Sequence, residues 1–203
     1  MTTNANQEDR FLGVPHLGKD IGVAVVVIAA LLLGWALREA TLSRTTLYQD
    51  SETGFSLQFP TAWSVADSLQ DVLLKVENPT TDSAYKTNLV VEVRELDPQN
   101  PPTLQEFVDR RVVQKSSLAG YHFISEQDDT VAGEKARQLV YAYVVQPIDQ
   151  PRRIALPVVV VAREYIVVGK ARVYYLTVAA PEEEFAVASA RLDDILRTVN
   201  LSE

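Results

Sequence analysis

The sequence predicts an α+β fold, an antiparallel β-sheet flanked by helices, behind a single N-terminal transmembrane helix. Three observations carry that prediction. Residues Ile21 to Leu37 (IGVAVVVIAALLLGWAL) hold no charged side chain. From Leu47 onward, apolar and polar residues alternate in short runs bounded by glycine, proline and polar residues, which is the two-residue period of strands. Two stretches, one after Pro101-Pro102 and one after Pro181, change to the helical period. Strands joined mostly by short turns favour an antiparallel sheet with helices on its faces. The expected divisions are a polar, disordered tail over residues 1–20, the span over 21–37, a juxtamembrane linker over 38–46 and one soluble domain over 47–203.

The span comes first. Seventeen residues at ~1.5 Å each make ~25 Å of helix against a ~30 Å hydrocarbon core, and Lys19 and Arg38 can reach the interfaces to make up the difference. Ten of the seventeen are Ile, Leu or Val. At roughly −0.3 to −0.6 kcal/mol each, they favour insertion by an amount on the order of −3 to −6 kcal/mol. Trp35 stands near one end, where an interfacial aromatic belongs. A buried core helix would carry a polar stripe, and this run has none. A cleaved signal peptide competes, because Gly34 and Ala36 form a small-x-small site. The run is longer than a usual signal core and twenty residues precede it, which favours an uncleaved anchor. Arg10 and Lys19 on one side balance Arg38 and Arg44 on the other, so charge alone does not orient the span.

In the soluble domain, Phe55, Leu57 and Phe59 alternate with Ser56 and Gln58, and Pro60 ends the run before Trp63 and Val65. Strands are also predicted over Val72 to Glu77 and Leu89 to Val93. Thr103 and Glu106 then have capping-box spacing, opening a helix to about Leu118 that turns Leu104, Phe107, Val108, Val112 and Leu118 to one side. Gly120 is its stop. Tyr121 to Ser125, Arg137 to Val145 and Val158 to Val168 are further strands, the last so apolar that it belongs near the sheet centre. Gly169-Lys170 is read as a tight turn, with the glycine supplying positive φ, into a strand over Ala171 to Ala179. A closing helix starts near Pro181, carries Glu182, Glu183 and Glu184 at its positive dipole end, and aligns Phe185, Ala188, Leu192, Ile195, Leu196 and Val199. Trp63 and Leu192 are expected in the core.

Composition removes several functions. Residues Thr41 to Glu203 hold 16 Lys+Arg against 23 Asp+Glu, a net charge of −7, which repels phosphate backbones and argues against a nucleic-acid partner. Without cysteine there are no disulfides, no thiolate catalysis and no acylated N-terminal Cys. The domain has one histidine, His122, no Gly-x-Ser-x-Gly elbow and no phosphate-binding glycine loop. No catalytic residue, cofactor or metal ligand is therefore assigned. His122 and Glu126, four apart on a strand, stand ~13 Å apart, too far for one metal ion. Asp128 and Asp129 are read as a solvated turn, Glu182 to Glu184 as dipole-stabilised carboxylates, Arg110 and Arg111 as helix surface charges, and Tyr141, Tyr143, Tyr174 and Tyr175 as core.

One segment is longer than its connection requires: Gln146 to Leu156 (QPIDQPRRIAL), between two long strands. Loops held on a rigid scaffold are where binding residues collect. Arg152 and Arg153 beside Ile154 and Leu156 put charge next to apolar surface, a composition suited to a partner-binding interface. A floppy hairpin tip is the competing reading.

Several of these residues also carry a resemblance. Gly54-Phe55-Ser56-Leu57-Gln58-Phe59-Pro60-x-x-Trp63 resembles the opening of PsbP-like α/β/α sandwich domains. Thr130-Val131-Ala132-Gly133-Glu134-Lys135-Ala136 is similar to their middle turn and strand. Val173 to Thr177, Phe185 and Asp194 to Val199 are similar to their closing strand and helix. The resemblance covers most of Tyr48 to Val199 and rests on turns and core positions. It implies export, with the N-terminus in the cytoplasm and the domain outside. The resulting expectation is a non-catalytic, membrane-anchored extracytoplasmic domain, held to the bilayer through Ile21 to Leu37, that binds or helps assemble another membrane protein or complex. The alternative is an envelope ligand- or metal-ion-binding sensor domain.

Overall fold

The computed structural model describes residues 17–42, 44–66, 72–146 and 156–201; within the first helix the side chains described are those of residues 22–37. The chain forms two compact units, Met1–Ser43 and Arg44–Glu203.

The first unit contains helix α1, Leu17–Leu42. It includes the whole predicted helix and begins earlier, so residues 17–20 of the expected tail are helical and the rest of that tail lies outside the described residues. All described side chains of α1 are exposed, among them Val23, Ile28, Leu33, Trp35 and Leu37. Among the described residues, no helix is long and apolar enough to cross a membrane. The expected linker is mostly structured: α1 runs to Leu42, and strand β1, Thr45–Gln49, begins three residues later.

In the second unit the chain continues through β2 (Phe55–Pro60), β3 (Ser64–Val65), β4 (Val72–Glu77), β5 (Asn88–Glu95), α2 (Leu104–Lys115), β6 (His122–Val131), β7 (Glu134–Val145), β8 (Val158–Val168), β9 (Arg172–Pro181), a 3-10 turn over Glu182–Glu184, α3 (Phe185–Leu196) and β10 (Asn200–Leu201). The strands form two sheets instead of the one expected, ordered β1-β2-β10 and β3-β4-β5-β9-β8-β7-β6. Every pairing is antiparallel.

Hydrophobic burial divides between the two faces of the large sheet. On one face, Phe55, Leu57 and Phe59 of β2 and Ala188, Leu192 and Ile195 of α3 pack with Trp63, Leu74, Leu89, Tyr174 and Leu176. On the other, Phe107 and Val108 of α2 cover Leu139, Tyr141, Val160, Ile166 and Tyr175. Each strand's two-residue alternation thus feeds two cores, and the central strands β8 and β9 are apolar almost throughout because both their faces are covered. Trp63 and Leu192 are 4% and 0% exposed, as the helix and strand periods require.

The caps and turns follow local chemistry. The Glu106 N–H donates to Thr103 Oγ1 at 3.3 Å, while Glu106 Oε2 accepts from the Thr103 N–H at 2.7 Å, closing the predicted capping box. Gly120 has φ +63, and a Cβ there would come within 2.9 Å of Val144 Cγ2. The β6–β7 hairpin turns on Ala132 and Gly133 with φ of 53° and 84°, the left-handed pair that matches strand twist in a two-residue loop. Gly169, by contrast, is not among the positive-φ glycines, and its turn closes through its own N–H donating to the Arg172 carbonyl at 2.9 Å. Asp128 and Asp129 lie within β6, paired with Arg137 and Ala136, so the turn expected there is three residues further on.

Candidate partner-binding site

Of the loop residues expected to meet a partner, Arg152, Arg153 and Ile154 lie outside the described residues. Leu156 is described and is 78% exposed. The chain returns from that loop as a register-matched hairpin, Val145 opposite Val158, and Val159 remains 44% exposed at the start of β8. The next strand, β9, ends at Pro181 opposite Val160, which brings the Glu182–Glu184 turn to the same end of the sheet. Pro157, Val158 and Val159 line a cleft of about 710 Å³ with Pro181, Glu182, Glu183, Glu184, Asp82 and Ser83. Four carboxylates beside exposed valine and leucine give this end a negative potential with apolar footing, a combination that complements a basic, amphipathic surface.

Glu184 does more than answer a helix dipole. It is the N-cap of α3 but makes no side-chain capping bond. Instead its Oε2 accepts from Thr81 Oγ1 at 3.0 Å and Thr87 Oγ1 at 2.7 Å, pinning the β4–β5 loop against the start of α3. The helix-dipole explanation expected for the three glutamates is therefore incomplete for this one.

Glu183 and Glu184 also border a smaller cleft of about 250 Å³ whose other walls are Trp63, Asn78, Thr80, Thr87, Val187, Ala188 and Arg191. Trp63 Nε1 is buried and, among the described residues, has no acceptor.

The expected surface charge at Arg111 is corrected: Arg110 is exposed, but Arg111 is 3% exposed at the centre of a buried polar network. Arg111 Nε donates to Glu164 Oε1 at 2.6 Å, its Nη1 and Nη2 fork onto Glu92 at 3.0 and 2.6 Å, and Nη1 also donates to Gln114. The guanidinium lies 4.6 Å from the centroid of the Tyr175 ring. Thr177 Oγ1 and Tyr141 OH donate to Glu164 at 3.0 and 3.3 Å. Burial lowers the pKa of Arg111, yet the adjoining Glu164 and Glu92 carboxylates outweigh it and raise the group above its ordinary value. Burial pushes Glu92 up, but the hydrogen bonds and charge of Arg111 hold it below the usual carboxylate range. Lys115 is pushed down, chiefly by burial. Glu164 has no exposed surface and several donors, so it meets no substrate; the network locks α2 to the sheet. Its one sequence signal was the charged pair Arg163-Glu164 inside the largely apolar run Val158 to Val168.

His122 is exposed on the edge strand β6, opposite Ala142. Glu126 is hydrogen-bonded to Arg137, and Asp128, largely exposed, stands 3.0 Å from Arg137 Nε. Among the described residues no group of three or more His, Cys, Asp or Glu side chains could hold a metal ion.

Residues 43–201, the whole two-sheet domain, match the sequence model of PsbP. The chain belongs to the PsbP family. Two solved structures share the fold of this PsbP-family domain. The cyanobacterial PsbP (CyanoP) of Synechocystis sp. PCC 6803 superposes with a TM-score of 0.56 at 12% identity, covering 77% of this chain and 92% of that one. LpqN, described as involved in cell envelope biogenesis of Mycobacterium tuberculosis, gives 0.55 at 12% identity, covering 77% and 90%. No curated protein sequence matches the chain. At these identities the likeness fixes the fold of the PsbP-family domain and leaves its ligands to be argued from its own residues.

Proposed function

We propose that this PsbP-family protein is a non-catalytic, membrane-anchored extracytoplasmic domain that binds and helps assemble a membrane protein complex, docking through the β7–β8 end of the large sheet. The observation that carries the reading is the acidic cleft beside exposed Leu156 and Val159: a rigid sheet end that presents charge next to apolar surface. Among the described residues, the buried acids Glu92 and Glu164 are taken up by Arg111, Thr177 and Tyr141 in a structural network. The anchor is supported by α1, whose uncharged residues 22–37 are all exposed, a contiguous apolar surface that calls for lipid or protein cover. An extracytoplasmic placement accords with the envelope role stated for LpqN.

The test uses the full chain in mild detergent. Replacing Asp82 and Glu182, both exposed on the cleft, with lysine should reduce recovery of co-purifying membrane subunits and leave the thermal midpoint unchanged, because exposed charges set encounter and register at an interface while adding little to folding. His122→Ala should leave recovery intact. A folded His122→Ala protein without function, beside a fully functional double-lysine protein, would move the reading to a ligand-binding sensor.

A further inference from the structure

A separate cleft of about 420 Å³ lies between α2 and strands β5 and β9, where Arg94, Leu96, Pro102, Phe107, Arg110 and Tyr175 border it. It is at the opposite end of the large sheet from the docking cleft: Glu95, the last residue of β5, pairs there with Arg172, the first of β9, whereas the docking cleft gathers around Pro181, the last. Phe107, Arg110, Arg111 and Gln114 are spaced by three and four residues, so one side of α2 turns them all toward this space. The five N–H groups of Arg111 are engaged by Glu92, Glu164 and Gln114, and it has none left for a ligand. Arg94 and Arg110 differ. Both are exposed, and among the described residues neither guanidinium makes a hydrogen bond or an ion pair. Arg94 stands 5.9 Å from the centroid of the Tyr175 ring, a stacking contact that leaves its N–H edge open. Tyr175 itself is 4% exposed, yet among the described residues its hydroxyl has no hydrogen-bond partner. A buried phenol ordinarily finds one, and leaving the bond unmade costs free energy. Two carboxylates also border the cleft, but strand alternation sends Glu95 to the face opposite Glu92 and Arg94, and Asp97 Oδ1 accepts from the Gln99 N–H at 2.9 Å.

We infer that this cleft binds a small organic phosphate monoester, its phosphate held by Arg94, Arg110 and the Tyr175 hydroxyl and its organic part resting on Leu96, Pro102 and Phe107. The match is one of charge and number. Two unpaired guanidiniums and one neutral hydroxyl face an anion that carries nearly two negative charges and three strong acceptor oxygens. A carboxylate, with one charge and two oxygens, would leave a donor unmet. Phe107 and Leu96, which pack in the second core, give the ligand body an apolar wall, and the volume suits a small molecule rather than a bare ion. The inference does not depend on the docking reading, because none of these residues lines the docking cleft.

Isothermal titration of the full chain in mild detergent with phenyl phosphate tests the idea. Saturable binding below about 1 mM is expected, at least about tenfold weaker for benzenesulfonate, which keeps the ring and three oxygens but has a single charge, and for inorganic phosphate, which lacks the ring. Arg94→Gln and Arg110→Gln should each weaken it at least about tenfold. Tyr175→Phe, which keeps the ring and removes only the hydroxyl, should weaken it at least about threefold. The ligand-free thermal midpoint should stay the same in Arg110→Gln and Tyr175→Phe, because neither change removes a hydrogen bond described within the domain. Absence of phenyl phosphate binding by the unaltered protein, equal affinity for benzenesulfonate or for inorganic phosphate, or unchanged affinity in any of the three variants would each overturn it. Binding of a short-chain phosphatidic acid without binding of phenyl phosphate would overturn it too, in favour of a lipid headgroup.

Discussion

Glu164 sits within β8 with no exposed surface, and Arg111 reaches down from α2 to meet it. Such a pair contributes little net stability over apolar residues of the same size, yet removing one partner leaves a buried charge uncompensated. Arg111→Met should therefore cost about 3 to 5 kcal/mol in chemical denaturation. Arg111→Met combined with Glu164→Gln should recover most of that loss, because the amide carries no charge and can still accept from Thr177 and Tyr141. Equal destabilisation of the single and double variants would mean that the arginine matters only for packing. At this scale the sequence was partly legible. Trp63 and the tyrosines of β7 and β9 fell where period and size put them. Arg111 did not, since a charge at a helix position flanked by Arg110 and Val112 gives no sign that a glutamate more than fifty residues later shares its core. The loop arginines remain an expectation, and the Trp63 cleft escaped notice because its walls come from the β4–β5 loop, the start of α3 and the turn between β2 and β3, which sequence spacing does not bring together.

The helices and strands were far more legible than their partners. The capping box at Thr103 and Glu106 and the Leu192 stripe name their elements directly, because each rests on contacts within a few residues. β3 and β10 have two residues each, too few to show a period, and β1 was half absorbed into the expected linker. The second sheet went unpredicted for that reason: two of its three strands carry no pattern of their own and exist because β2 offers them an edge. α3 is the element on which the first core depends. Leu192→Ala, at a position 0% exposed between β2 and the large sheet, should cost about 2 to 5 kcal/mol by denaturant titration. A loss under about 0.5 kcal/mol, the range of surface substitutions, would contradict the packing of that helix.

For the whole molecule, the proposed topology has a direct chemical test, because the chain contains no cysteine. A cysteine introduced at Ser202 should react with a membrane-impermeant thiol reagent on intact cells, whereas labelling only after lysis would reverse the orientation. The molecule also has a marked asymmetry of chain order. The meander from β6 to β9 pairs neighbours in sequence, so it can assemble as it emerges. The small sheet cannot: β2, near the start of the domain, pairs with Asn200 and Leu201, and Gln58 donates its N–H to Thr198 at 2.9 Å, 140 residues away. During synthesis, Phe55, Leu57 and Phe59 must therefore wait uncovered until the last turn of α3 and the strand behind it have left the ribosome. A chain delivered vectorially across a membrane would expose those three side chains on the far side for nearly the whole passage, which makes this strand the natural site for a chaperone to hold.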